Sequence, residues 1–172
     1  MSRLPSVDLG LMAEHLTAHE GVLNKLHYYE SLATLPKLKE ILALQNSIMQ
    51  SHVDVMLKFM DPQFNQPVTV PPISVYQDIT LNNIQYSDDY TNKWITLEAH
   101  NTARSMANTN YVSALMMKDP DVKNAHIEMS LQQTNIQEQY ANLISMMNWS
   151  FVPHSSLKNQ LQTYQFYNDV FN

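Results

Sequence analysis

The chain has 172 residues, a net charge of −6, and no cysteine. That length fits one domain with a continuous core. The lack of cysteine excludes a disulfide framework, a thiolate zinc site and a cysteine nucleophile. Lys and Arg number 10 and form no cluster, so no surface is suited to tracking phosphates, and nucleic acid is not an expected partner.

The eight prolines punctuate the sequence. Proline breaks a helix interior but is tolerated in its first turn, so each one marks a boundary. The first helix is predicted from Val7 to Ala33, with Ser6 as N-cap and Asp8 in the positive first turn. Its buried stripe is read as Leu9, Met12, Leu16, Leu23 and Leu26. Thr34-Leu35-Pro36 makes a turn, and the second helix follows from Pro36 to Met60. So short a turn makes these two helices antiparallel, a hairpin over about 7–60.

Residues 61–87 read as a proline-rich strap, with Val68-Thr69-Val70-Pro71-Pro72-Ile73 extended rather than helical. A helix of roughly 25 residues is about 37 Å long, a span the strap easily covers. The third helix therefore restarts at the far end, capped by Ser87-Asp88-Asp89, and runs to Lys118. Asp119-Pro120-Asp121 is the strongest start signal, opening a fourth helix that reaches about Ser150. Ser155 and Ser156 cap a short helix in the extension 151–172, whose Tyr164, Phe166 and Tyr167 are expected to dock on the bundle or on a neighbouring subunit. The predicted fold is all-α, a single-domain ferritin-like four-helix bundle with a long crossover between helices 2 and 3.

The stretch from Leu11 to Met60 resembles the spore coat protein F family of spore-forming bacteria. Glu30 closes a long first helix, Pro36-Lys37-Leu38-Lys39 opens the next, Gln45 and His52 lie within it, and Phe59-Met60 ends it. The resemblance covers about a third of the chain directly. It implies a ferritin-like scaffold laid down in the protein layers around a spore, with other coat proteins or further copies of the chain as partners and a homo-oligomer as the expected state. The opening Met-Ser-Arg-Leu-Pro-Ser lacks an apolar signal core, and no apolar run spans a bilayer, so synthesis in the cytoplasm and no membrane partner are expected.

A ferritin-type di-iron centre needs a Glu from two helices and Glu-x-x-His from the other two. Three residues after the seven glutamates stand Thr17, Leu23, Ala33, Ala43, Asn101, Leu131 and Ala141, and none is histidine. No catalytic residue, cofactor or di-iron site is expected. His15, His19 and Glu30 nonetheless fall on the apolar stripe of the first helix, and Gln45 and His52 on that of the second. Their level on the other two helices is predicted near Ser105 and Gln133.

These residues fit a mononuclear metal site of His15, His19 and His52 with Glu98. They fit better a buried polar layer in which each imidazole is hydrogen-bonded, and that is the favoured expectation. His27, Glu20, His100 and His154 are read as solvated. Asn and Gln total 29 against 16 acids, an amide-rich, weakly charged surface that favours association. The expected function is structural and non-enzymatic; the alternatives are a metal-binding protein or oxidase with a divergent His-rich site, and a bundle holding an apolar ligand.

Overall fold

A computed structural model describes residues 4–72 and 90–172. Five helices are found among the described residues: α1 (Ser6–Leu32), α2 (Pro36–Met60), α3 (Tyr90–Met116), α4 (Pro120–Met146) and α5 (Leu157–Phe171). The first four form the bundle. The hairpins α1–α2 and α3–α4 meet through α2 against α4 and α1 against α3, which leaves α2 and α3 diagonal to each other.

Two sets of hydrogen bonds fix the direction of α3. Asn92, at its start, accepts through Oδ1 from the Thr34 and Leu35 amides of the α1–α2 turn, at 3.0 and 3.2 Å. Beyond its end, the Lys118 and Asp119 amides donate to the two carboxylate oxygens of Asp8, near the start of α1, at 2.9 and 2.7 Å. Helices α2 and α3 therefore run parallel, and the predicted long crossover is required. Its described part, 61–72, contains no helix. By Pro71 it has climbed to mid-height on α4, where the Pro71 carbonyl accepts from Gln132 Nε2 at 2.6 Å. The expected cap at Ser87-Asp88-Asp89 lies outside the described residues.

Several ends differ from expectation, each for a local reason. Pro5 rather than Ser6 occupies the N-cap of α1, and Ser6 makes no capping bond. Asp8 is fully buried and serves α3 and α4, so it is more than a first-turn charge. Leu9 turns outward and is exposed. Helix α4 stops at Met146 because Asn148 adopts a left-handed φ of 54°, so the Trp149 amide reaches back to Ile144 O and the Asn148 amide to Ser145 O. That is a Schellman ending, and Asn tolerates its conformation better than most residues.

Apolar side chains form two clusters. Leu26, Leu38, Ile41, Leu42, Ile136 and Tyr140 belong to the one at the turn end, and Met12, Val55, Met56, Val122 and Met129 to the one at the Asp8 end. A polar layer separates them. No helix among the described residues is long and apolar enough to cross a membrane.

Candidate functional site

The polar layer is built from four histidines. His15 and His19 stand one turn apart on α1, His52 comes from α2 and His126 from α4; all are buried. Ring centroids lie 6.2 Å apart for His15–His19, 5.1 Å for His15–His126 and 5.8 Å for His19–His52. The helical periodicity that puts Met12, Leu26 and Met56 inward carries these imidazoles inward with them.

Each ring uses one nitrogen and leaves the other bare. His19 Nδ1 meets the His15 carbonyl at 2.7 Å, and His126 Nδ1 meets the Val122 carbonyl at 3.0 Å. A carbonyl only accepts, so both Nδ1 atoms carry hydrogen and, in a neutral ring, both Nε2 atoms are lone pairs. His52 Nε2 lies 2.8 Å from Gln132 Oε1. Because Gln132 Nε2 is committed to Pro71 O, that amide turns its oxygen toward His52, which must donate from Nε2 and leave Nδ1 bare. His15 Nε2 pairs with Ser113 Oγ at 2.8 Å, where either atom is able to donate.

The remaining ring atoms, His15 Nδ1, His19 Nε2, His52 Nδ1 and His126 Nε2, are buried without a partner. So is Asn110 Oδ1, one turn before Ser113 on α3.

Electrostatics keep the layer neutral. Burial pushes His15 down to about 4, helped by the charges that His126 and His19 would carry. Burial brings His19 down to about 4 against the opposing hydrogen bond to the His15 carbonyl. His52 falls to about 3, again by burial, although its bond to Gln132 works the other way. His126 is also lowered by burial, with its bond to the Val122 carbonyl and then the Asp8 charge pulling it partly back up. At neutral pH the four rings are uncharged and hold lone pairs, the form a metal ion takes and a proton has left.

Of the expected site residues, His15, His19 and His52 come together and Glu98 does not. Its carboxylate pairs instead with Lys25 at 3.2 Å, in a partly exposed bridge joining α3 to α1. Lys25 also donates to Thr102 Oγ1 at 2.6 Å, so the pair is a surface clasp between hairpins. Ser105 faces solvent, and Ser113 occupies the expected place on α3, about two turns further along. Gln133 is buried beside Gln45. His100, read as solvated, is half-buried and bonded to Gln137 at 2.6 Å.

His126 is the residue that sequence reasoning missed. It lies four residues after Val122 and three before Met129, both buried, so the inward stripe of α4 already contained it. Among the described residues, no group of three or more His, Asp or Glu side chains is arranged to hold a metal ion with the rings as they stand. Comparison with protein-family models, curated proteins and solved structures returned no match.

Proposed function

We propose that this chain is a non-enzymatic scaffold that associates with copies of itself in a protein layer, and that the layer is a spore coat. The coat resemblance of 11–60 and the amide-rich, weakly charged composition support this reading.

The observation that carries it is α5. This helix of 15 residues has a proper start, with Ser156 Oγ accepting from the Asn159 amide at 3.1 Å, yet none of its residues is buried. On a helical wheel Leu157, Leu161, Tyr164, Tyr167 and Phe171 share one face, Lys158, Gln162, Gln165 and Asp169 lie to one side of it, and Phe166 and Val170 point away from it. The expectation that its aromatics dock on their own bundle is corrected: Tyr164, Phe166 and Tyr167 are all exposed.

A matching seam lies open on the bundle. Tyr111, Val112, Leu115 and Met116 are exposed at three- and four-residue spacing near the end of α3. A second copy supplies both surfaces, α5 for the seam and the seam for α5. Full burial of each such large side chain gains about 1.5–3 kcal/mol, the driving force for association.

Light scattering on the full chain, beside a Leu161→Asp, Tyr164→Asp variant, tests the association. The wild type is expected to form dimers or larger assemblies, and the variant to be monomeric with unchanged helicity. A wild type that stays monomeric when concentrated would overturn the scaffold reading. Absence from the coat fraction of purified spores would overturn the coat assignment.

A further inference from the structure

We infer that the layer formed by His15, His19, His52 and His126 is a structural metal site that takes one late first-row divalent cation, of the zinc class, through imidazole nitrogens alone. The inference goes beyond the scaffold reading and does not depend on it.

Four observations converge on it. The first is spacing. Around a tetrahedral zinc with Zn–N distances of about 2.0–2.1 Å, imidazole centroids stand about 5 Å apart. Three of the six ring pairs stand at 5.1, 5.8 and 6.2 Å, in a chain His126–His15–His19–His52 near that spacing, and the rings must draw together to meet one ion.

The second is the open valence. Each ring presents one buried nitrogen with no partner, and hydrogen bonds at the far nitrogen make that atom a lone pair in His19, His52 and His126. Ligating histidines show this same arrangement, in which the second ring nitrogen donates to a carbonyl or carboxylate and fixes the tautomer. Here the carbonyls of His15 and Val122 and the amide oxygen of Gln132 fill that role.

The third is the donor set. It contains no carboxylate and no thiolate, since Glu98 is engaged by Lys25 and cysteine is absent. Imidazole donors alone suit zinc, copper and nickel, whereas magnesium, calcium and manganese prefer oxygen. Asp8 is the carboxylate whose field reaches the layer, acting on His126, and it offsets part of the ion's charge.

The fourth is position. The ligands come from α1, α2 and α4, so one ion ties the first hairpin to the second between the two apolar clusters. Four protein ligands would fill a tetrahedral ion and leave no open position for chemistry, which marks a structural site.

The test uses untagged full-length protein stripped of metal, titrated with zinc by calorimetry and with cobalt by absorption. The expected result is one ion per chain, a rise in melting temperature, and the ligand-field band of tetrahedral cobalt. A His19→Gln, His126→Gln double variant is expected to lose stoichiometric binding, whereas His27→Gln, at an exposed position, retains it. Gln132→Leu, which removes the orienting bond to His52 together with the bond to the Pro71 carbonyl, is expected to weaken binding by about 10–100-fold. Zinc binding well below one ion per chain, an octahedral cobalt spectrum, or equal binding by the double variant would each overturn the inference. Should the double variant fail to fold, the wild-type cobalt spectrum decides alone.

Discussion

Two of the buried polar groups among the described residues lie near the middle of the bundle and differ in one respect. At the turn end, Gln45 Oε1 accepts from Tyr140 Oη at 2.9 Å, Gln45 Nε2 donates to Gln133 Oε1 at 3.4 Å, and Gln133 Nε2 points at Met49 Sδ at 3.1 Å. Every polar side-chain atom of that network has a partner. Towards the Asp8 end, the histidine layer leaves four nitrogens open. A closed network specifies how helices align, because each member is unsatisfied in any other register. An open one contributes less to the fold by itself, since an unpaired buried polar atom costs free energy. The contrast separates a structural layer from one built to receive something.

Acid should expose the difference most strongly. In the metal-free protein, His15, His19 and His52 hold values near 4, 4 and 3, against about 6.5 for an unfolded chain. As pH falls below 6.5, the unfolded chain takes up protons that the folded layer refuses. Each ring's contribution is therefore intact above pH 6.5 and is lost as pH falls toward 4 or 3. The loss is about 1.4 kcal/mol per pH unit for each ring while the refusal lasts. Asp8, the charged group whose field reaches His126, moderates the effect there, whereas Gln132 and Ser113 face the layer as neutral groups. Urea midpoints between pH 7 and 5 should fall steeply, and a flat profile would mean that the layer is already solvated.

Gln45→Leu comes next. It strands Tyr140 Oη without an acceptor and Gln133 Oε1 without a donor, at about 1–3 kcal/mol for each group left unpaired. A change below about 0.5 kcal/mol in chemical denaturation would show the network to be dispensable. Asp8→Asn should cost about 1.5–3 kcal/mol by the same measurement, because one amide oxygen replaces two carboxylate oxygens facing the Lys118 and Asp119 amides. The smallest effect is expected at His126→Leu in metal-free protein, within about 1 kcal/mol, since the change removes an unpaired atom and creates none. If His126→Leu proved as damaging as Gln45→Leu, the distinction between the two layers would collapse.

Much of the bundle was legible in sequence because its signals are local. Asp119-Pro120 caps α4 through Asp119 Oδ1, which accepts from the Asp121 and Val122 amides as the residue pattern implied. Pro36 and Asp61 bound α2. Asn148 was harder, since an Asn in a left-handed cap looks like any other polar residue of an amide-rich helix. The role of Asp8 was hidden because its partners are backbone amides more than a hundred positions away.

The candidate site divided in the same way. His15, His19 and His52 were found because helical spacing alone places them inward. Glu98 was misplaced because the competition for it, from Lys25 on another helix, is a tertiary fact. His126 was within reach of the same spacing rule, since Val122 and Met129 flank it on the buried stripe. Polar side chains on an apolar stripe mark such layers.

The open lone pairs are the centre of this account, and long-range ¹⁵N–¹H correlation of the imidazoles in metal-free protein at neutral pH observes them directly. His19 and His126 are expected as neutral rings protonated at Nδ1, the less common tautomer, and His52 as a neutral ring protonated at Nε2. Charged rings, or the opposite tautomers at these positions, would contradict it.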